Sequence, residues 1–281
     1  ADAARLQPRR IEVVTNGIED PCPNFAQELA ALREARAEAR RKLLAGQPLT
    51  TEDRQRAGGD LEVLRVVFLA HCAADKGLFD TIDGVRQANA QLAARQTSLR
   101  LHLTVVGSFI STAEREQFDR VLAEPGVAEW AKYAGFVAEE EKWAILRRAD
   151  VFCFPTYFPN EGQPANLIEA MAFGLAVVVT RWRAIPEFLP SGYAGLVEPR
   201  RPDQVAAALL AVMSEPSIGF RETFLRHFTL ERHLQALAEV IKTACSGSGG
   251  VPGGQVRHAG RGDRTAGAQR NTQHQGRPTI D

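Results

Sequence analysis

The sequence is short of several things, and each shortage narrows what the chain is. Its four cysteines, Cys22, Cys72, Cys153 and Cys245, stand far apart and form no Cys-x-x-Cys pair. That argues against a disulfide framework or a zinc site, and for free thiols in a reducing cytosol. No apolar run reaches the ~18 residues that a membrane span needs, and no signal peptide is recognisable. Net charge is missing as well: 34 basic side chains offset 34 acidic ones. The chain therefore lacks the basic footprint of a nucleic-acid binder. There is no internal repeat and no Asp-x-Asp motif. What is present is a 281-residue chain with 44% hydrophobic residues, enough for one or two globular domains with a sizeable core.

Strand and helix patterns alternate along most of that length. Residues 63–70, 101–106, 151–155 and 175–179 read as strands. Helical periodicity follows Gly77 and fills 112–122, 139–148, 202–213, 220–227 and 229–243. Such alternation predicts an α/β protein with a doubly wound parallel sheet. Ahead of the sheet, residues 25–44 form a charged, Ala-rich helix with a thin stripe of Leu29, Leu32, Ala39 and Leu43. Thr50 and Asp53 have the spacing of a capping box, which starts a short second helix closed by Gly58-Gly59. These two helices read as a solvated hairpin. From residue 246 on, Gly, Arg, Gln, Thr and His replace apolar residues, the composition of a disordered tail. The tail carries basic residues without interleaved aromatics, so nucleic-acid binding is not favoured.

The most informative stretch is 151–179. Val151-Phe152-Cys153-Phe154-Pro155 reads as a buried parallel strand. A loop, Glu161-Gly162-Gln163-Pro164, then opens a helix at about Ala165, with Leu167, Ile168 and Met171 on its apolar face. Gly174 stops that helix, and the next strand begins. In an open α/β sheet, ligands sit beyond the carboxyl ends of the strands. A helix start at that place offers unpaired N–H groups and the positive end of a dipole, which suits phosphate. Glu161 lies in the loop and Glu169 in the early turns. Two carboxylates beside an anion site fit a ligand that carries hydroxyls as well as phosphate.

This stretch resembles the donor-binding signature of retaining nucleotide-sugar glycosyltransferases of the GT-B fold, the group 1 glycosyltransferase family. The pattern there is E-G-x-P-x-x-x-x-E-A; here it stands as EGQPANLIEAMAFGLAVVVT, with Ala176 where proline is frequent. The resemblance extends over residues 11–243. Val14-Thr15-Asn16-Gly17-Ile18 is similar to the segment that joins the two domains of that family, and the family's first domain precedes it. Only 15 residues precede Asn16, which implies that the first domain is absent from this chain. His71-Cys72-Ala73-Ala74-Asp75-Lys76-Gly77 resembles the G-R-x-x-x-x-K-G element that clamps the donor diphosphate. His71 stands in place of the arginine. A histidine is a cation only when protonated, so either His71 donates one hydrogen bond or the clamp leans on Lys76. Trp130 to Val137 resembles the family's short strand near the nucleotide base, and Tyr193 to Pro199 its small G-L-V-E-P strand. Thr180 to Glu187 matches a T-x-x-G-G-I-P-E turn in which Arg183 and Ala184 replace both glycines. Arg183 is read as a surface arginine, with reach to donor or acceptor as the sharper alternative.

The resemblance implies a role for each matched residue. Glu161 faces the donor sugar and the reaction centre, and Lys76 with Glu161 forms the catalytic pair. The backbone at Gly77, Gly162, Gln163, Asn166 and Leu167 holds sugar and diphosphate, and Glu169 binds the ribose diol. Phe136 or Val137 packs on the nucleotide base, with core packing an equal alternative for Phe136. No metal and no cofactor are implied. The domain reading is 1–20 as linker, 21–60 as helical insertion, 61–245 as the Rossmann-like donor domain and 246–281 as tail. The implied activity is transfer of a sugar, with retention, from a nucleotide-diphospho-sugar to a glycan or lipid-linked acceptor. The implied location is the cytoplasm or the inner face of the membrane. The expected partner is a separate amino-terminal acceptor domain, covering an apolar patch on the last helices. The alternative is a non-catalytic nucleotide-sugar module or a truncated, inactive transferase. An epimerase of the same superfold is a third reading, set back by the motif spacing.

Overall fold

In a computed structural model of the protein, residues 11–215, 218–246 and 256–258 are described. Strand β1 (Ile11–Val13) leads through an irregular linker to a π-helical turn, Ala26–Ala30, which runs into α1 (Ala31–Leu44) and then α2 (Thr51–Ala57). The core unit follows as β2 (Val63–Leu69), α3 (Leu78–Ala94), β3 (Arg100–Val106), α4 (Thr112–Leu122), β4 (Ala131–Gly135), α5 (Glu139–Arg148), β5 (Val151–Phe154), α6 (Ala165–Ala172), β6 (Ala176–Thr180), β7 (Leu196–Val197) and α7 (Pro202–Val212). Helices α8 (Ile218–His227) and α9 (Leu230–Ser246) come next, and β8 (Val256–His258) pairs in parallel with β1. That short strand corrects the expectation of a wholly disordered tail; the rest of 247–281 lies outside the described residues.

Strands β2 to β7 form one parallel sheet in the order β4-β3-β2-β5-β6-β7. This is the doubly wound, Rossmann-like α/β fold that the alternating pattern implied. Every residue of β5 and β6 is buried. Their unbroken Val and Phe runs are what a strand covered on both faces requires. On one face α3 lies against α7 so closely that a methyl group at Gly84 would come within 2.4 Å of Val205. Strand β7 is shorter than the seven residues read from sequence, because Tyr193 turns its ring inward and its hydroxyl accepts the Val177 N–H at 3.2 Å. The order reverses between β2 and β5. That is the topological switch point, and it leaves a crevice at the carboxyl ends of those two strands.

The opposite, amino-terminal end of the sheet is sealed by α1 and α2, and this corrects the solvated-hairpin reading. The capping box at Thr50 and Asp53 is formed as expected. However, α1 turns arginines inward. Arg36 and Arg40 reach Asp150 at 3.0 and 2.8 Å, and the Arg65 N–H donates to Asp150 Oδ2 at 2.8 Å. Arg33, fully buried, donates to the carbonyls of Leu146 and Ala149 at the carboxyl end of α5, where the helix dipole favours a cation. Burial alone would raise the Asp150 pKa. Arg40 and Arg36 outweigh that and hold it below the usual carboxylate range.

The expected apolar patch is present on the last helices: Leu225, Leu234, Leu237 and Ile241 are all exposed. Among the described residues, no helix is long and apolar enough to cross a membrane. Cys22, Cys72 and Cys153 are buried free thiols and Cys245 is an exposed one.

Candidate functional site

The crevice is built from two loops. After β2 the chain passes His71 and a 3-10 turn, Ala74–Lys76, then enters α3 through Gly77. Gly77 has φ +81°, and a methyl group there would lie 2.4 Å from the Pro155 carbonyl oxygen. Only glycine lets this turn press against the end of β5. That approach brings Lys76 to the second loop: Lys76 Nζ is 2.9 Å from Glu161 Oε2, with both side chains mostly buried. Thr156 Oγ1 lies 3.0 Å from the same carboxylate oxygen. The ammonium also stands 3.8 Å from the centre of the Phe158 ring, a cation–π contact. The second loop is itself pinned, since the Tyr157 N–H donates to the Asp75 carbonyl at 2.8 Å and Trp182 Nε1 to the Phe158 carbonyl at 2.8 Å.

From Glu161 the chain continues through Gly162, Gln163 and Pro164 into α6. The first bond of that helix runs from the Ile168 N–H to the Pro164 carbonyl at 3.3 Å, so the N–H groups of Ala165 and Asn166 precede any intrahelical partner. Leu167 departs from the sequence-based expectation at its backbone alone. Its side chain is in the core, and its N–H already donates to Asn166 Oδ1 at 2.9 Å. Asn166 Nδ2 in turn donates to the Leu69 carbonyl at 2.7 Å. Asn166 thus ties the start of α6 to the end of β2. Gln163 is fastened to the linker, its Oε1 accepting the Asn16 N–H at 2.5 Å.

Next to this helix start is a cavity of about 460 Å³ whose walls include His71, Ser108, Phe136, Lys142, Asn166 and Glu169. Lys76 and Glu161 stand outside its walls, joined to it by the turn that opens α6. Phe136 is 83% exposed while Val137 is buried. Core packing therefore belongs to Val137, and Phe136 is a free ring at the rim. Glu169 is held by Lys142, with Nζ to Oε1 2.8 Å. Sequence reasoning passed over Lys142, which follows three glutamates and looks like one more solvated charge of α5. A larger groove of about 580 Å³ runs along β2, β3, β4 and α5. It contains none of the residues singled out from sequence and lies away from the switch point. Thiolate chemistry is not on offer at the crevice, because burial pushes the Cys72 and Cys153 thiols up to about 12.

The arrangement can do three things chemically. An ammonium and two free helix N–H groups can bind an anion. Glu161 and Glu169 can accept hydrogen bonds from hydroxyls on either side of that anion. An exposed ring at the rim can cover a flat heterocycle.

Comparison with known proteins points the same way. A profile of the family described as "Glycosyl transferases group 1" matches residues 63–215. The amylovoran biosynthesis glycosyltransferase AmsK of Erwinia amylovora is 29% identical over 156 residues, 54% of this chain and 36% of that protein. The MMP alpha-(1->4)-mannosyltransferase of Mycolicibacterium hassiacum is 33% identical over 100 residues, 35% of this chain and 24% of that protein. The crystal structure of HepE from Anabaena, in complex with UDP, superposes with a TM-score of 0.59. That match covers 82% of this chain and 57% of HepE at 16% identity, a likeness of fold. This chain thus spans less than two thirds of the length of each of these three proteins. With the family profile covering more than half of it and the motif residues converging on one crevice, the chain belongs to the group 1 glycosyltransferases.

Proposed function

We propose that this chain is the donor-binding half of a retaining glycosyltransferase. It takes a nucleotide-diphospho-sugar and passes the sugar to a hydroxyl of a glycan or lipid-linked acceptor, in polysaccharide biosynthesis. In the reaction the bond from the anomeric carbon to the diphosphate oxygen breaks, a bond to the acceptor oxygen forms, and the acceptor hydroxyl gives up its proton to the departing diphosphate. Negative charge grows on the departing diphosphate. Lys76 and the N–H groups of Ala165 and Asn166 supply a preorganised field for that charge. Glu161, beside Lys76, reads the sugar, Gly162 and Gln163 line its backbone cradle, and Glu169 reads the ribose. His71 adds a hydrogen bond to the diphosphate, and Phe136 covers the base. The acceptor is brought by a separate domain packed on the apolar row of Leu234, Leu237 and Ile241, with the assembly working in the cytoplasm at the membrane's inner face.

The observation that carries this reading is the meeting of Lys76 and Glu161 at 2.9 Å beside the open start of α6, each delivered by a different loop of the switch point. Isothermal titration with UDP-, GDP- and ADP-sugars tests it. One of the three should bind with a measurable affinity that competing inorganic pyrophosphate weakens. If none binds, the donor-site reading is wrong.

A further inference from the structure

The ion pair between Lys142 and Glu169 has a role that the motif alone does not give. Lys142 comes from α5 and Glu169 from α6, so their contact joins two elements in the wall of the 460 Å³ cavity that both line. The ammonium is fixed by more than the carboxylate: it lies 4.1 Å from the centre of the Trp143 ring. Trp143 packs on the fully buried Phe173, with ring centres 5.6 Å apart. The lysine is therefore anchored to the core and not left to sample solvent.

This anchoring has consequences for Glu169. A glutamate side chain has three rotatable bonds, and one that must read a hydroxyl pair loses affinity to the ordering of those bonds. Lys142 does that ordering before any ligand arrives. It occupies Oε1, and among the described residues no hydrogen-bond partner is found for Oε2, which is left as an acceptor for the cavity. We infer that Lys142 is the positioning residue of the ribose reader: it holds Glu169 in one rotamer and so sets the preference for ribonucleotides over nucleotides that lack the ribose hydroxyls. The inference rests on the nucleotide-sugar reading above.

The test is titration of the full chain with UDP, GDP and ADP and with their 2′,3′-dideoxy counterparts, for the wild type and for Lys142→Met, Lys142→Arg and Glu169→Gln. Loss of one charge-assisted hydrogen-bond arrangement corresponds to about a tenfold change. Lys142→Met should therefore lose about tenfold in affinity for the ribonucleotide while keeping its affinity for the dideoxy form. Lys142→Arg should recover part of the difference, and thermal unfolding midpoints should stay together. A merely structural lysine would weaken both ligands equally. If Glu169→Gln erases the ribo-to-dideoxy ratio while Lys142→Met keeps it, the positioning role is overturned and the donor-site reading stands. If the wild type makes no distinction between the two forms, the ribose is not read here. If it binds no nucleoside diphosphate at all, the donor-site reading itself falls, and this inference with it.

Discussion

The two ends of the parallel sheet solve the same electrostatic problem in different ways. At the amino-terminal end a single carboxylate, Asp150, meets Arg36 and Arg40 at 3.0 and 2.8 Å and also accepts the Arg65 N–H. At the carboxyl-terminal end each carboxylate meets one lysine: Glu161 with Lys76, Glu169 with Lys142. Arginine forks bind a carboxylate at several points and hold it in a fixed plane, whereas a lysine is a compact charge that can be shared or exchanged. The first end is covered by α1, and Asp150 is buried beneath it. The second borders a cavity of about 460 Å³. The contrast teaches that a buried carboxylate in this fold serves stability where several arginines hold it, and is available for ligand where its only cation is one lysine.

The largest effect that would break this contrast is at Asp150. Asp150→Ala leaves Arg36 and Arg40 without their carboxylate, and removing one partner of a buried ionic cluster costs about 3–5 kcal/mol. Urea unfolding should show that loss in its midpoint. The sign with pH follows from the depressed pKa of the folded state. The contribution is fully present above the unfolded value of about 3.9 and is lost as pH falls through the lower folded value. The wild type should therefore lose stability below about pH 4 in a step that Asp150→Ala lacks. If the two acid profiles run parallel, Asp150 is not what secures this end.

The counterpart at the carboxyl end is Lys76→Met. Here the expected change falls on binding and not on folding. Affinity for the nucleoside diphosphate should drop about ten- to a hundredfold, the worth of hydrogen bonds to a charged group. The unfolding midpoint should move less than in Asp150→Ala, because Glu161 keeps the Thr156 hydroxyl as a hydrogen-bond partner when the lysine is removed. A Lys76→Met chain that unfolds early while binding normally would reverse the assignment of the two ends.

The two ends also differ in how far they could be read in the sequence. The strands that carry the site announced themselves, because β5 and β6 are covered on both faces and so are continuously apolar. Lys76 was marked by its place after a strand and before Gly77. Glu161 and Glu169 were marked by one unbroken local motif. The amino end had no such local mark. Arg33, Arg36 and Arg40 share one face of α1, and without their partner near residue 150 they look like solvated charges. Lys142 was missed for the same reason: its partner belongs to another helix, and nothing in the run Glu139-Glu140-Glu141-Lys142 distinguishes the residue that turns toward it. Whether a helical charge points to water or to a partner is decided by tertiary packing, which periodicity does not contain. The motif likewise named Leu167 as a backbone donor without registering that Asn166 uses that N–H as a cap.

The smallest expected effect sharpens the comparison at its weakest point, Arg183. This residue stands where the family pattern has glycine, and its backbone has φ +51°, the left-handed region that costs an ordinary residue roughly 1–2 kcal/mol. Arg183→Gly relieves that strain, but it gives back about 0.5–1 kcal/mol through the added freedom of the unfolded chain. It also forfeits an exposed contact between the guanidinium and the Trp182 ring, 5.5 Å away. The net change in stability should be within about 0.5 kcal/mol of zero, measured by thermal unfolding. Donor affinity should not move either, because the guanidinium is folded back over its neighbour's ring. A fivefold or larger loss of affinity at constant stability would mean that the strained backbone is maintained for ligand, and that the ligand-binding end of the sheet reaches one loop further than its two lysine pairs.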